Sequence, residues 1–177
     1  MRKLFFILIL CGFNGPVGSV ENPHQHSGLT GDGTVTLYNL HLEEKETIRF
    51  RDARGHYIMD GVERLNHILR CRADHQEIAM ALPLLDVVDH LQDYYGVDEV
   101  QVISGYRSPQ FNAALKSSGR KVATKSRHMH GQAMDIRLPG VSMRDVRNYL
   151  IANKVGGVGY YHDNNFVHVD VGPFRTW

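Results

Sequence analysis

The amino-acid sequence predicts a single α+β domain. Three observations carry this expectation: a length and composition that suit one core, β-type alternation near both ends of the folded region, and helical periodicity in the segments between. At 177 residues, with 42% hydrophobic and 22% charged side chains, the chain is long enough to build its own core and needs no second domain.

The elements follow in chain order. The stretch "MRKLFFILILCGFNGPVGS" has a basic start, an apolar run from Leu4 to Phe13 and then small, turn-forming residues, the layout of a secretory signal peptide over residues 1–19. Its apolar run is shorter than the roughly 20 residues a bilayer-spanning helix needs, so no stable membrane span is expected after processing. Cys11 raises lipidation, but the bulky Leu10 before it argues against that modification. Residues 20–33, "VENPHQHSGLTGDG", lack apolar periodicity and read as a flexible leader in which His24 and His26 are solvated. The folded domain is expected over 34–177.

"TVTLYNLH" and "ETIRFRD" alternate as strands of a hairpin or meander, closed by a turn at "ARGH". Val62, Leu65, Ile68 and Leu69 recur at helical spacing, predicting a helix from Asp60, as its cap, to Cys71. A second helix is expected over Leu82 to Tyr95, with Pro83 in its first turn and Gly96 beyond its end. "VDEVQVISGYRSP" reads as a buried strand ending in a Gly turn, and a short helix starts at Pro109. In "GQAMDIRLPG", Met134, Ile136 and Leu138 share one face while Ala133, Asp135 and Arg137 share the other. A helix behind Ser142 as N-cap follows. "NNFVHVDVG" then sets Phe166, His168 and Asp170 opposite Val167, Val169 and Val171.

Charge and cysteine content narrow the function. The formal net charge is +1, and loss of Arg2 and Lys3 with the signal would change it to 18 − 19 = −1. Neither value supports nucleic-acid binding, and no basic run marks a phosphate-tracking surface. Processing would leave Cys71 as the only cysteine, excluding an internal disulfide in the exported chain.

The stretch "SRHMHGQAMD" carries the chemistry. His128 precedes a strand, Asp135 lies within it, and His168 sits on a later strand facing away from the aliphatic stripe. Two imidazoles and a carboxylate make an open zinc site whose fourth position is left for water. Spacing alone also fits polar side chains that make ordinary surface or supporting hydrogen bonds.

The same stretch matches the Ser-x-His-x-x-Gly-x-Ala-x-Asp motif, with Ser126, His128, Gly131, Ala133 and Asp135 in register. It resembles the zinc D-Ala-D-Ala carboxypeptidase-type murein peptidases. "ISGYRSP" resembles that family's Gly-Tyr-Arg segment, and "GGVGYYHDNNFVHVDVGPFRTW" resembles the C-terminus of its murein endopeptidase K group. The similarity extends upstream through "LYNLH" and "LNHILR", covering nearly all of the chain after the leader.

The resemblance implies that His128, Asp135 and His168 hold Zn²⁺, with His130 at an unconstrained motif position. It implies that Arg107 donates hydrogen bonds to a carbonyl or oxyanion, a task that suits the guanidinium fork. Relatives carry a proton acceptor three or two residues before the second ligand histidine, where this chain has Asn165 and Phe166. Asp170 is therefore the favoured catalytic carboxylate, with Asp163 and His162 as the other candidates and a supporting role for Asp170 still open. The implied reaction is metal-assisted amide hydrolysis of peptidoglycan peptides, with cross-link cleavage favoured over D-Ala-D-Ala trimming. The implied compartment is periplasmic or extracellular. The implied architecture is one α+β domain whose mainly antiparallel sheet carries the zinc site, with helices packed on one side. A non-catalytic zinc-containing cell-wall-binding module is the alternative, resting on the missing acceptor at Asn165 and Phe166.

Overall fold

The computed structural model describes residues 28–120 and 122–177. The expected signal peptide at 1–19 and residues 20–27 of the expected leader lie outside the described residues. In chain order, β1 (Thr34–Asn39) and β2 (Glu44–Arg49) are followed by α1 (Met59–Ile68), α2 (Leu82–Tyr95), β3 (Val100–Ser104) and α3 (Pro109–Ser117). A 3-10 turn (Arg127–His130) leads into β4 (Ala133–Arg137), α4 (Met143–Ala152) and β5 (Gly157–Tyr161). A second 3-10 turn (His162–Asn164) then precedes β6 (Phe166–Asp170) and β7 (Arg175–Thr176).

The strands form one seven-stranded sheet in the order β2-β1-β3-β4-β6-β5-β7. Pairing is antiparallel for β1·β2, β3·β4, β4·β6 and β5·β6 but parallel for β1·β3 and β5·β7. The sheet is thus mixed, though mostly antiparallel. The first parallel pair arises because α1 and α2 intervene between β2 and β3, a crossover long enough to return the chain beside β1 in the same direction. The second arises because β7 follows β6 and docks on the far side of its antiparallel partner β5.

One face of the sheet is aliphatic. Val35 and Leu37 of β1, Met134 and Ile136 of β4, and Val167 and Val169 of β6 join Leu65 of α1, Leu84 and Leu91 of α2, and Val146 and Leu150 of α4 in a single buried cluster. Each such side chain taken fully from water contributes about 1.5–3 kcal/mol, which pins the register of β4 and β6. Pinning that register sends the intervening residues, Asp135 and His168, to the opposite face.

Local signals set the helix ends. Gly96 terminates α2 in the left-handed region at φ 60. Ser108 Oγ accepts from the Phe111 amide at the start of α3, and Ser142 Oγ accepts from the Asp145 amide at the start of α4. The expected helix from Asp60 to Cys71 is shifted: α1 starts at Met59 without a side-chain cap and stops at Ile68. It stops because its last carbonyls find partners elsewhere. Asn39 Nδ2 donates to the Ile68 carbonyl at 2.8 Å, and the Tyr106 amide donates to that of Leu69 at 2.8 Å. Residues 31–33, at the end of the segment read as a flexible leader, lie against α2, where the Asp32 and Gly33 amides donate to Asp93 and Asp89. No described helix is long and apolar enough to cross a membrane.

Candidate metal centre

Asp135 and His168 sit directly opposite one another on the paired strands β4 and β6. His128 reaches them from the 3-10 turn before β4, which Gly131 closes at φ 63. All three are buried, with 2%, 4% and 8% of their surface exposed for His128, Asp135 and His168. His168 Nδ1 lies 2.8 Å from Asp135 Oδ1 and 3.2 Å from His128 Nε2, and His128 Nε2 lies 3.3 Å from Asp135 Oδ1. One donor atom from each therefore points at a common centre.

The far side of each imidazole is anchored. His128 Nδ1 donates to the Gly105 carbonyl at 2.8 Å, which leaves the Nε2 lone pair facing the centre. His168 Nε2 donates to Asp170 Oδ2 at 3.0 Å, leaving Nδ1 facing inward. The two rings thus present opposite nitrogens.

Asp170 is wholly buried and saturated. Its Oδ2 also accepts from Arg175 Nη2 at 2.5 Å, and its Oδ1 accepts from the Gly157 amide at 3.1 Å, the Gly172 amide at 2.8 Å and Arg175 Nη1 at 3.1 Å. Arg127 Nε lies 3.5 Å from the same oxygen. Room for this arrangement comes from β5, because a Cβ at Gly157 would lie 2.3 Å from Asp170 Oδ2. On the same face, a Cβ at Gly159 would lie 2.5 Å from the indole of Trp177, whose ring centroid stands 5.2 Å from that of His168.

Arg107 follows β3 in the Gly-Tyr-Arg turn. Its Nε donates to Ser104 Oγ at 2.8 Å and its Nη2 to Asp135 Oδ2, the oxygen turned away from His168. Burial pushes the His128 pKa down, outweighing Asp135, so this ring is neutral near pH 7. Burial alone would raise Asp135, but His128, His168 and Arg107 outweigh it and hold the carboxyl well below its usual range. Burial likewise opposes protonation of His168, but hydrogen bonds to Asp135 and Asp170 prevail and raise its pKa. For Asp170, burial is outweighed by His168 and Arg175, which hold the carboxyl far down. The ionised Asp135 carboxylate facing the two imidazoles holds His168 toward its charged form, which marks the centre as a seat for positive charge that a metal ion would supply in place of that proton.

Of the residues singled out from sequence, the fold brings His128, Asp135, His168, Arg107 and Asp170 together. His130 is exposed and outside the cluster. His162 and Asp163 pair with each other at the surface, Nδ1 to Oδ1 3.3 Å. Sequence reasoning missed Gly105, Arg127, Arg175 and Trp177 as supports. Only the glycine of "ISGYRSP" carried a local signal, as a tight turn that brings a backbone carbonyl to the site.

The fold and the cluster define an α+β protein with a candidate mononuclear metal centre set on the polar face of its sheet. The chain belongs to the family described as peptidoglycan L,D-endopeptidase MepK, which matches residues 30–177. It is 41% identical over 144 residues to the peptidoglycan L,D-endopeptidase MepK of Escherichia coli strain K12, covering 81% of this chain and 79% of that protein. It is 34% identical over 145 residues to the protein of Haemophilus influenzae strain Rd described as "Probable peptidoglycan L,D-endopeptidase MepK", covering 81% of this chain and 77% of that one. No solved structure gives a match.

Proposed function

We propose that the protein is an exported zinc peptidase that cleaves peptide cross-links of bacterial peptidoglycan, with His128 Nε2, Asp135 Oδ1 and His168 Nδ1 as the metal ligands. The observation that carries the reading is the convergence of these three atoms, with each imidazole held by its opposite nitrogen. Two imidazole nitrogens and one ionised carboxylate match the donor set of an open catalytic zinc site, the metal displacing the proton that Asp135 and Asp170 favour on His168. Zinc held there would polarise a scissile carbonyl and bring the pKa of a water toward about 7. The family and its named relatives support the substrate class, and an L,D-endopeptidase supports cross-link cleavage over terminal D-Ala-D-Ala trimming. The compartment follows from that substrate together with the signal-like residues 1–19.

The remaining residues have distinct tasks. Arg107 is tethered by Ser104 and Asp135 beside the ligand atoms, so its remaining donors are placed to hold a carbonyl oxygen as charge builds on it. Asp170 fixes the tautomer and orientation of His168, the supporting role left open by the sequence. Its several partners and depressed pKa make it a poor proton acceptor at neutral pH, at odds with the base role first expected of it.

The test is digestion of purified sacculi by the zinc-loaded protein, followed by mass spectrometry of the muropeptides. Conversion of dimers to monomers with intact glycan strands supports the endopeptidase reading. Removal of a terminal D-Ala with dimers preserved would replace it with carboxypeptidase activity. The saturation of Asp170 favours one second reading, a zinc-containing cell-wall-binding module, which is the conclusion if dimers and pentapeptides both survive while the protein pulls down sacculi.

A further inference from the structure

Trp177 extends the pairing of β7 with β5. Its amide donates to the Val158 carbonyl at 3.2 Å, and its own carbonyl oxygen accepts from the Tyr160 amide at 3.4 Å. Gly159, between those two residues, stands opposite His168 on β6, which in turn stands opposite Asp135 on β4. The indole lies against Gly159, where a Cβ would come within 2.5 Å of its Nε1 and Cε2, and its centroid is 5.2 Å from that of the His168 ring. An aromatic ring is therefore set beside the metal centre by the backbone of the sheet itself.

That ring is half in water, with Trp177 50% exposed. It is also not alone. Trp177 Nε1 donates to Tyr161 Oη at 3.2 Å, and Tyr161, 37% exposed, stacks on Phe166 with centroids 4.5 Å apart and planes at 15°. Phe166 shares the polar face of β6 with His168. The three rings form an aromatic wall that starts at His168 and runs along that face.

The wall is fixed by contacts within the protein. Backbone pairing, the indole N–H bond and the room left by Gly159 hold Trp177 in place, so little conformational freedom remains to be lost when a ligand packs against it. A rigid group of partly exposed rings beside a reactive centre is a binding surface. Its polar atoms are already engaged: the indole N–H by Tyr161, and the neighbouring Arg175 by both oxygens of Asp170 and by the Pro173 carbonyl. The indole thus offers apolar area for saturated carbon rather than a charge or a hydrogen bond.

We propose, resting on the reading of the protein as a peptidase of peptidoglycan cross-links, that Trp177 with Tyr161 and Phe166 binds the substrate peptide, the indole packing against aliphatic carbons of the residues joined by the scissile amide. Placement decides which part of the substrate the wall meets. A carbonyl seated among His128, Asp135 and His168 is within reach of a ring 5.2 Å from the His168 imidazole, so the contact falls on groups flanking that bond. The glycan strand, joined to the far end of each stem peptide, lies further off. Arg107 reaches the centre from β3 and Trp177 from the β5 side, with β4 and β6 between them, so the oxyanion contact and the wall flank the bond on opposite sides.

Trp177 is the single tryptophan of the chain, so its emission reports this site alone. The experiment mixes the zinc-loaded protein by stopped flow with a sugar-free cross-linked peptide dimer and follows monomer release in parallel. The expected result is a saturable change in tryptophan emission that precedes monomer release. Trp177→Ala should keep its zinc and raise KM at least about tenfold with kcat near wild type, the pattern of a lost substrate contact, and Trp177→Phe should recover most of that loss. Wild-type KM in Trp177→Ala, with emission unmoved while dimers are still cut, overturns the wall and leaves the peptidase reading standing. A saturable emission change without any cleavage supports the wall and removes the peptidase reading. KM restored by excess zinc in Trp177→Ala means that the indole acts through His168, and overturns the proposal. So does an emission change seen only with disaccharide-bearing muropeptides, which assigns the wall to the glycan.

Discussion

Replacing Asp170 by asparagine separates a carboxylate that orients a ligand from one that accepts a proton. The change keeps shape and removes charge. Asp170 Oδ1 accepts two backbone amides, from Gly157 and Gly172, so the asparagine carbonyl is held on that side and its NH₂ group falls where Oδ2 now faces His168 Nε2 at 3.0 Å. That puts a donor against a donor. The conflict is relieved if His168 moves its proton to Nδ1, but Nδ1 is the atom that converges with His128 and Asp135. Loss of such a supporting partner typically costs about 10–100-fold in metal affinity, or about 1.4–2.8 kcal/mol. Zinc competition against a chelator of known affinity measures it directly, and turnover is then read at saturating zinc. We expect zinc affinity to fall by about 10–100-fold and activity to recover largely once zinc is saturating. Wild-type zinc affinity combined with lost turnover would refute the orienting role and restore Asp170 as the proton acceptor.

Further expectations concern the ligands, the oxyanion contact, the β5 glycine and acid stability. His128→Ala, Asp135→Ala and His168→Ala should each strip zinc from the purified protein, by metal analysis, whereas His130→Ala keeps it. Arg107→Ala should retain zinc but lose about 10²–10³ in turnover; unchanged kinetics would remove Arg107 from the reaction. Gly159→Ala should displace the indole of Trp177, the single tryptophan of the chain, and cost about 1–3 kcal/mol in denaturant melts, with a shift in intrinsic fluorescence as the local readout. Asp89 should tie stability to pH: its folded pKa, pushed up by burial to about 6, lies above the unfolded value of about 3.9. Its contribution is then fully present below pH 4 and lost as the pH rises through 6, and Asp89→Asn should flatten that part of the stability profile.

The facing of two of the three proposed ligands was legible in the sequence through strand alternation: Asp135 and His168 occupy the positions between Met134, Ile136, Val167 and Val169, and burying those aliphatics leaves no other face, whereas His128, in the turn before β4, stood out only through the motif. The α2 and α4 boundaries were legible for equally local reasons, in Gly96 and Ser142. What Asp170 does was not legible. Alternation put it on the right face, but the nitrogen it meets depends on Arg175 arriving through β7, on Arg127, and on a β5 whose Gly157 and Gly159 dilute the β-type pattern. The parallel pairing of β1 with β3 and the convergence of Asp32 with Asp89 and Asp93 are long-range outcomes of the same kind. No short window contains them.

The opposed anchoring of the two imidazoles bears on how metal enters and leaves. Gly105 and Asp170 hold the rings from behind, and the aliphatic core holds the strands in register, so the seat is shaped by folding rather than by its occupant. A zinc finger, by contrast, is unfolded until metal arrives. Stripping this protein with a chelator should therefore leave a folded chain that reloads without refolding. Exchange would then be governed by access to a buried seat, and scarcity of zinc would silence the enzyme without destroying it.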